Sequence, residues 1–302
     1  MAIVYENITA NKIKTALLIT GFLVFIIALG YLFSYQMNNP GILVGAVIFS
    51  TVMSLVSYFY SDKIALGMSK AKEVDRQSNP ELYRLVENLA IAAGLPTPKI
   101  YVIEDTALNA FATGRNPENA SIAFTTGILQ RLEKSELEGV AAHELSHIGN
   151  YDIRLSTIVV ILVGLVALLS DWFLRMSFWG GRRRDEGGGQ IGAVLAIAGI
   201  VLAILSPFIA TIIQLAISRQ REFLADSSAV LLTRYPQGLS NALRKLGGDH
   251  EPLEVANKAT AHMYIVNPLK DLQGRPQGMF ATLFSTHPPL EERIKRLEQM
   301  NV

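Results

Sequence analysis

A stretch without a single charged side chain runs from Thr15 to Ser61 and constrains the fold of this chain more than any other feature. A helix that crosses the hydrocarbon core of a bilayer needs about 20 apolar residues, so the stretch is long enough for two such helices. The turn-forming segment QMNNPG interrupts it at residues 36–41. We therefore predict a membrane hairpin with spans at about 13–33 and 41–60.

Two further uncharged runs occupy residues 155–170 and 190–218. Each suits one apolar helix, and together they predict a second hairpin with spans at about 155–174 and 190–217. A buried core helix is the alternative for one such run alone, but it does not explain the long N-terminal stretch. That stretch is also too long for a cleavable signal peptide.

Composition excludes several classes of function. The 302-residue chain has a formal net charge of +1 and no basic tract large enough to indicate nucleic-acid binding. It has no cysteine, which excludes a disulfide framework and a thiol nucleophile. Any bound metal must therefore be held by histidine and carboxylate side chains.

The polar segments predict a mainly α-helical fold with a small β-sheet. Three β-rich runs, KIYVIE, ALNAFATG and ASIAFTTGIL, are separated by Asn, Gly and Pro turns. Helices are predicted at 79–94, 218–232, 237–246, 252–264 and 289–300. The chain divides into an N-terminal hairpin at 1–60, a first polar segment at 61–154, a second hairpin at 155–217 and a second polar segment at 218–302.

The sequence HELSH at 143–147 carries the chemistry, on a helix for which Ser135 and Glu138 predict a capping box. His143 and His147 project from one helical face, so their imidazoles can share a metal ion at about 2.0–2.1 Å each. Glu144 lies beside them, where it can act as general base toward a water. The pattern predicts a zinc hydrolase, and a chance match is the alternative.

Two histidines alone bind zinc weakly, so a third ligand is required. The candidates are the carboxylates and three histidines, His250, His262 and His287. Glu222 is favoured, because the second hairpin would return the chain to the membrane face at which the HELSH helix ends. Asp226 lies one turn further on the same face and can accept the ring N–H of a ligating histidine. The alternative is a solvated charged face paired with Arg219 and Arg221.

Four motifs together resemble the HtpX-type membrane zinc endopeptidases, which are relatives of the CAAX prenyl proteases and of the mitochondrial stress protease family. They are LNAFATG at 108–114, HELSH at 143–147, SRQREFLAD at 218–226 and THPPLEERI at 286–294. The resemblance covers essentially the whole chain. It implies a zincin-like metalloprotease domain integrated with four transmembrane helices, one Zn²⁺ ion, and a role in membrane-protein quality control under stress.

The resemblance also implies residue roles. The zinc ligands would be His143, His147 and Glu222. Glu144 would be the catalytic carboxylate, and His287 and Arg293 would lie near the metal and stabilise the tetrahedral oxyanion. A capping histidine and a surface arginine are the alternatives for that last pair.

A run of small residues precedes the HELSH helix and suits a strand at a sheet edge. It consists of Asn109, Ala110, Phe111 and Ala112. An edge strand can pair its backbone with an extended peptide. An ordinary buried strand is the alternative, and the resemblance favours the substrate-binding interpretation.

Positive charge near the ends of the spans indicates orientation. Five lysines lie at the outer ends of the first hairpin: Lys12, Lys14, Lys63, Lys70 and Lys72. Because positive residues favour the cytoplasmic side, we expect the active site to face the cytoplasm. The resemblance implies a multi-pass protein of the bacterial inner membrane. Arg175 and the arginines at 182–184 do not fit four full spans. Either the flanking signals override them, or the second hairpin inserts only partly.

The sequence thus predicts a membrane-integrated zinc endopeptidase, whose partners are the lipid bilayer and polypeptides, above all membrane proteins with cytoplasmic regions. A prenyl-protein protease is one alternative, although relatives of that kind need more spans. A non-proteolytic metal-binding chaperone or regulator is another, against which the intact Glu144 argues. A transporter is disfavoured, since the spans carry almost no ionisable residue. The oligomeric state and the individual substrates stay open.

Overall fold

The computed structural model describes residues 2–36, 38–159, 161, 162, 165, 219–249, 251, 253, 254, 263–266 and 288–300. The predicted class, mainly α with a small sheet, is confirmed. The elements are α1 (Ala2–Gln36), α2 (Pro40–Met68), β1 (Lys72–Val74), α3 (Pro80–Ala92), β2 (Lys99–Ile103), β3 (Ala110–Gly114), β4 (Ala120–Thr125), α4 (Thr126–Arg131), α5 (Lys134–Gly149), α6 (Arg219–Thr233), α7 (Pro236–Gly248) and α8 (Leu290–Glu298).

Helices α1 and α2 form the predicted first hairpin. Within them, Thr9–Tyr35 and Pro40–Met68 are long and apolar enough to cross a membrane. The side chain of Asn39 accepts a hydrogen bond from the backbone N–H of Gly41 at 3.0 Å and so caps α2. Both helices extend beyond the predicted spans, because the helical backbone continues into the polar residues at the boundary.

The second hairpin stays a prediction. Residues 152–159 are helical and begin the predicted third span. The rest of the span at 155–174 lies almost entirely, and the span at 190–217 wholly, outside the described residues. The two apolar helices found within the described ranges are therefore those of the first hairpin.

The sheet has the order β1-β2-β4-β3, in which only β2 and β4 run parallel. Successive side chains along a strand point to opposite faces of the sheet, and each face packs against helices. One face packs on α3, α5 and α7 through side chains that include Ile100 and Ile122. The other face, with Ile103 and Phe111, packs against the end of α2 at Leu66. The membrane hairpin is thus joined directly to the sheet.

Helix α5 is buried on most sides and begins earlier than predicted. The predicted capping box at Ser135 and Glu138 is wrong: the pair is Glu133 and Glu136. The Glu136 carboxylate accepts from the backbone N–H of Glu133 at 2.8 Å and also pairs with Lys245 of α7 at 2.6 Å. This second partner compensates for the burial of the Glu136 charge, which the sequence pattern does not reveal.

The other predicted helices have mixed outcomes. The helix at 79–94 is confirmed as α3, where the Asn79 side chain accepts from the backbone N–H of Leu82 at 3.3 Å and Gly94 ends the helix with a φ of +67°. The helices at 218–232, 237–246 and 289–300 are confirmed as α6, α7 and α8. Most of 252–264 lies outside the described residues.

Candidate metal centre

Helices α5 and α6 bring the three predicted metal ligands together. His143 and His147 lie on α5, and Glu222 lies in the first turn of α6. The two Nε2 atoms are 3.2 Å apart. Glu222 places one carboxylate oxygen 3.4 Å from Nε2 of His147 and the other 3.7 Å from Nε2 of His143. All three residues offer a ligand atom within 4.8 Å of the others.

These separations fit a tetrahedral zinc ion. Donor atoms that lie about 2.0–2.1 Å from such an ion are about 3.3–3.4 Å from one another. The two shorter observed separations, 3.2 and 3.4 Å, bracket that range. Two histidine nitrogens and a carboxylate are also a donor set that zinc accepts in hydrolases. The residues present therefore fit the metal that the sequence predicts.

Each histidine is oriented by a carboxylate behind it. Nδ1 of His143 lies 3.0 Å from a carboxylate oxygen of Asp226, and Nδ1 of His147 lies 3.0 Å from one of Asp152. If each Nδ1–H donates to its carboxylate, Nε2 of the neutral ring carries the lone pair and faces the other ligands. Such carboxylate partners fix the ring and increase its basicity as a ligand.

The two rings differ in their affinity for protons. Burial and the neighbouring Arg293 guanidinium lower the pKa of His143 to about 4. Burial also opposes protonation of His147, but its hydrogen bond to Asp152 and the charge of Glu222 prevail and raise its pKa to about 9. Because metal ligands must be deprotonated, a cation bound at this centre would compete with protons for both rings.

Glu144 is the predicted general base of this centre. It directly follows His143 on α5 and is buried at 3% exposure. Its charge contributes to the raised pKa of His147 and to that of Arg293. The Glu144 carboxylate therefore lies within electrostatic range of His147 and Arg293.

Arg293 is wholly buried, at 0% exposure, so the alternative of a surface arginine is wrong. Its Nε and one terminal nitrogen donate to the two oxygens of Asp226 at 2.9 and 2.7 Å. Its other terminal nitrogen lies 3.6 Å from Glu222.

The alternative of a solvated face for Glu222 and Asp226 is wrong too, since they are 3% and 2% exposed. The oxyanion role of Arg293 stays a prediction.

We expect Arg293→Ala to destabilise the fold severely. The change leaves Asp226 buried without its bidentate partner, and breaking a buried pair in this way costs about 3–5 kcal/mol. For a chain of this size the melting temperature of the purified protein should fall on the order of 10 °C. Lys295→Ala, an exposed neighbour on α8, is the matched control. Equal melting temperatures for the two variants would contradict the prediction.

The predicted substrate strand lies at the edge of the sheet, shifted by one residue. Strand β3 begins at Ala110, so Asn109 lies just before the strand. The Asn109 side chain donates to the backbone O of Val266 at 2.9 Å. The backbone N–H of Ile265 donates to Ala110 O at 3.0 Å and covers that end of the edge. Every residue of β3 is buried. His287, like His250 and His262, lies outside the described residues.

Three residues near the centre are not predicted from the sequence as parts of it: Asp152, Arg221 and Asn11. Asp152 was detectable, since a carboxylate shortly after an HExxH motif can reach back to its second histidine. The sequence suggests Arg221 only as a surface partner of Glu222, yet it is 9% exposed. Asn11 gave no local signal, because it lies on α1, far away in the sequence.

Comparisons with known proteins show what this chain is similar to. Residues 76–301 match Peptidase family M48. A protein named Protease HtpX homolog from Dictyoglomus thermophilum is 45% identical over 298 residues, which cover 98% of this chain and 94% of the relative. The Protease HtpX homolog of Ligilactobacillus salivarius is 46% identical over 303 residues, with coverages of 98% and 99%.

One solved structure shares the fold. The crystal structure of S. mikatae Ste24p is similar with a TM-score of 0.50 and 20% sequence identity. The similarity covers 99% of this chain and 67% of that chain. At this identity the comparison concerns the fold alone.

Proposed function

This chain belongs to peptidase family M48, and from that membership we propose that it is a zinc-dependent endopeptidase of the bacterial inner membrane with a cytoplasmic active site. It is a membrane metalloprotease, and its family favours this function over the non-proteolytic alternatives. The proposed substrates are misfolded proteins and membrane proteins with cytoplasmic regions, degraded in quality control and stress response.

The position of the centre at the membrane boundary carries the proposal about substrates. Asn11 lies two residues after Thr9, where the first apolar span begins. It donates at 2.7 Å to Asp152, whose other oxygen lies 3.0 Å from His147. The candidate metal centre is therefore only two side chains away from the membrane helix. A site at that depth is suited to polypeptide segments that emerge from the bilayer.

Each side chain of the centre has a role in the proposed mechanism. His143, His147 and Glu222 would hold zinc, which when bound activates a water and polarises the scissile carbonyl. Glu144 accepts the proton of the attacking water and passes it to the leaving amine. Asp226 and Asp152 keep both imidazoles oriented throughout.

Strand β3 would align the substrate. Asn109 O accepts from Thr125 N of β4, whereas Ala110 O accepts from Ile265 N on the outer side. Because the backbone alternates along a strand, Ala112 also presents its N–H and C=O outward. No backbone hydrogen bond to this side of Ala112 comes from the described residues. We propose that an extended substrate pairs with the edge there.

Cleavage of a tethered reporter tests the proposed function. The full-length protein is placed in liposomes with an unfolded segment attached to a transmembrane helix by a short or a long spacer. The short spacer should be cleaved at least several-fold faster, because it holds the segment at the depth of the centre and raises its effective concentration. A chelator should stop cleavage of both reporters. Equal rates would contradict the substrate proposal, and cleavage that survives chelation would contradict the metalloprotease mechanism.

A further inference from the structure

We propose that Asn11, on the first membrane helix, is a positioning residue for the metal centre and that it orients His147 through Asp152. This inference rests on the proposed function, because it concerns the binding of the zinc ion. It extends the centre beyond the two catalytic segments of the chain to a helix that carries no ligand.

Asn11 clamps the turn that follows the HExxH helix. Its side-chain amide group, 2% exposed, donates to the backbone O of Asn150 at 3.1 Å and to a carboxylate oxygen of Asp152 at 2.7 Å. Between these acceptors, Tyr151 has a φ of +60°, a left-handed conformation that a residue with a side chain adopts at a cost. The two N–H donors of one amide thus stabilise both sides of an unfavourable turn.

The same turn delivers the carboxylate that orients His147. Asp152 uses one oxygen for Asn11 and the other for Nδ1 of His147, at 3.0 Å. The clamp at Asn11 therefore limits where the second oxygen can lie. Since Nδ1 is tethered, the direction of Nε2 toward the other ligands follows from the position of Asp152.

Arg221 connects this clamp to the third ligand. One of its terminal nitrogens donates to the side-chain oxygen of Asn11 at 2.9 Å and to Asp152 at 3.0 Å. Arg221 directly precedes Glu222 on α6 and supplies the positive charge that buried Asp152 needs. The Asn11 side chain thus forms hydrogen bonds with Asp152, which follows α5, and with Arg221 on α6.

The chemistry of the cluster indicates positioning rather than catalysis. Asn11 has no titratable group, and its side-chain hydrogen bonds within the described residues go to Asn150, Asp152 and Arg221. Its link to His147 therefore runs through Asp152. Removal of an outer partner of a metal ligand typically weakens metal affinity about 10–100-fold. Metal affinity should accordingly depend on how α1 docks against the turn at residues 150–152.

The test is a double-mutant cycle read out by metal affinity. Zinc binding to the full-length protein in detergent is measured by competition with a chelating dye, for the wild type, Asn11→Leu, Asp152→Asn and the double variant. Asn11→Leu should weaken zinc binding about 10–100-fold. In the Asp152→Asn background the same change should have little further effect, because interacting residues are not additive. Thr9→Ala, an exposed position on α1, should bind zinc like the wild type.

A spectroscopic measurement separates positioning from general damage. In the Co²⁺-substituted protein, Asn11→Leu should alter the visible absorption band of the metal, whereas Thr9→Ala should not. Asn11→Ala replaces Asn11→Leu if the larger side chain prevents folding. Wild-type affinity in the Asn11 variant, or fully additive effects in the cycle, would overturn the inference. A wild-type protein that binds no zinc would instead overturn the proposed function, so the two failures are distinguishable.

Discussion

Glu144→Gln is expected to abolish proteolysis while the metal stays bound. Glutamine has the same shape as glutamate but cannot accept the proton of the attacking water at neutral pH. A general base contributes about 10²–10⁴-fold to such a reaction. The three ligand side chains are unchanged, so zinc stoichiometry should remain at one ion per chain. The measurement is the cleavage rate of an unfolded reporter together with the zinc content of the purified variant.

A matched control exists on the same helix. Glu138→Gln makes the identical chemical change at a partly exposed position of α5 and should leave the cleavage rate near that of the wild type. Cleavage by Glu144→Gln at more than about a tenth of the wild-type rate would contradict the role of general base. Excess zinc should not rescue this variant, because its metal site is intact.

Glu222→Ala is expected to abolish activity by a different route, through loss of the metal. Only two histidine ligands would remain, and the nearby Arg293, 3.6 Å from Glu222, would lose a neighbouring negative charge. The repulsion between the guanidinium and the cation would then be less balanced. Zinc affinity should fall by more than the 100-fold or so that loss of an outer partner costs. Dye competition measures the affinity, and reporter cleavage measures the activity.

The response to added zinc distinguishes the two variants. High zinc concentrations should restore part of the activity of Glu222→Ala but none of the activity of Glu144→Gln. Gln220→Ala, an exposed position on the same helix, controls for changes in α6. Wild-type zinc affinity in Glu222→Ala would show that a different group is the third ligand.

How well each site residue could be predicted depended on how far it lies along the sequence from its partners in the site. His143, Glu144 and His147 share one helix, so local spacing alone brings them together. Glu222 required a topological argument about a membrane hairpin, and the structure places it beside them. Asp226 followed from Glu222 by helical periodicity. The resemblance implied that Arg293 lies near the metal. Its burial against Asp226 could not be predicted, because it depends on tertiary packing and not on a sequence period.

The sequence by itself determined the apolar hairpin, the small sheet and the two-histidine face, because each depends on a local run or period of residues. Only the tertiary structure decided that Glu133 caps α5, since Lys245 of a distant helix stabilises the buried Glu136. It also decided the cluster of Asn11, Asp152 and Arg221. Those side chains meet because burial forces every polar group to find a partner, wherever along the chain that partner lies.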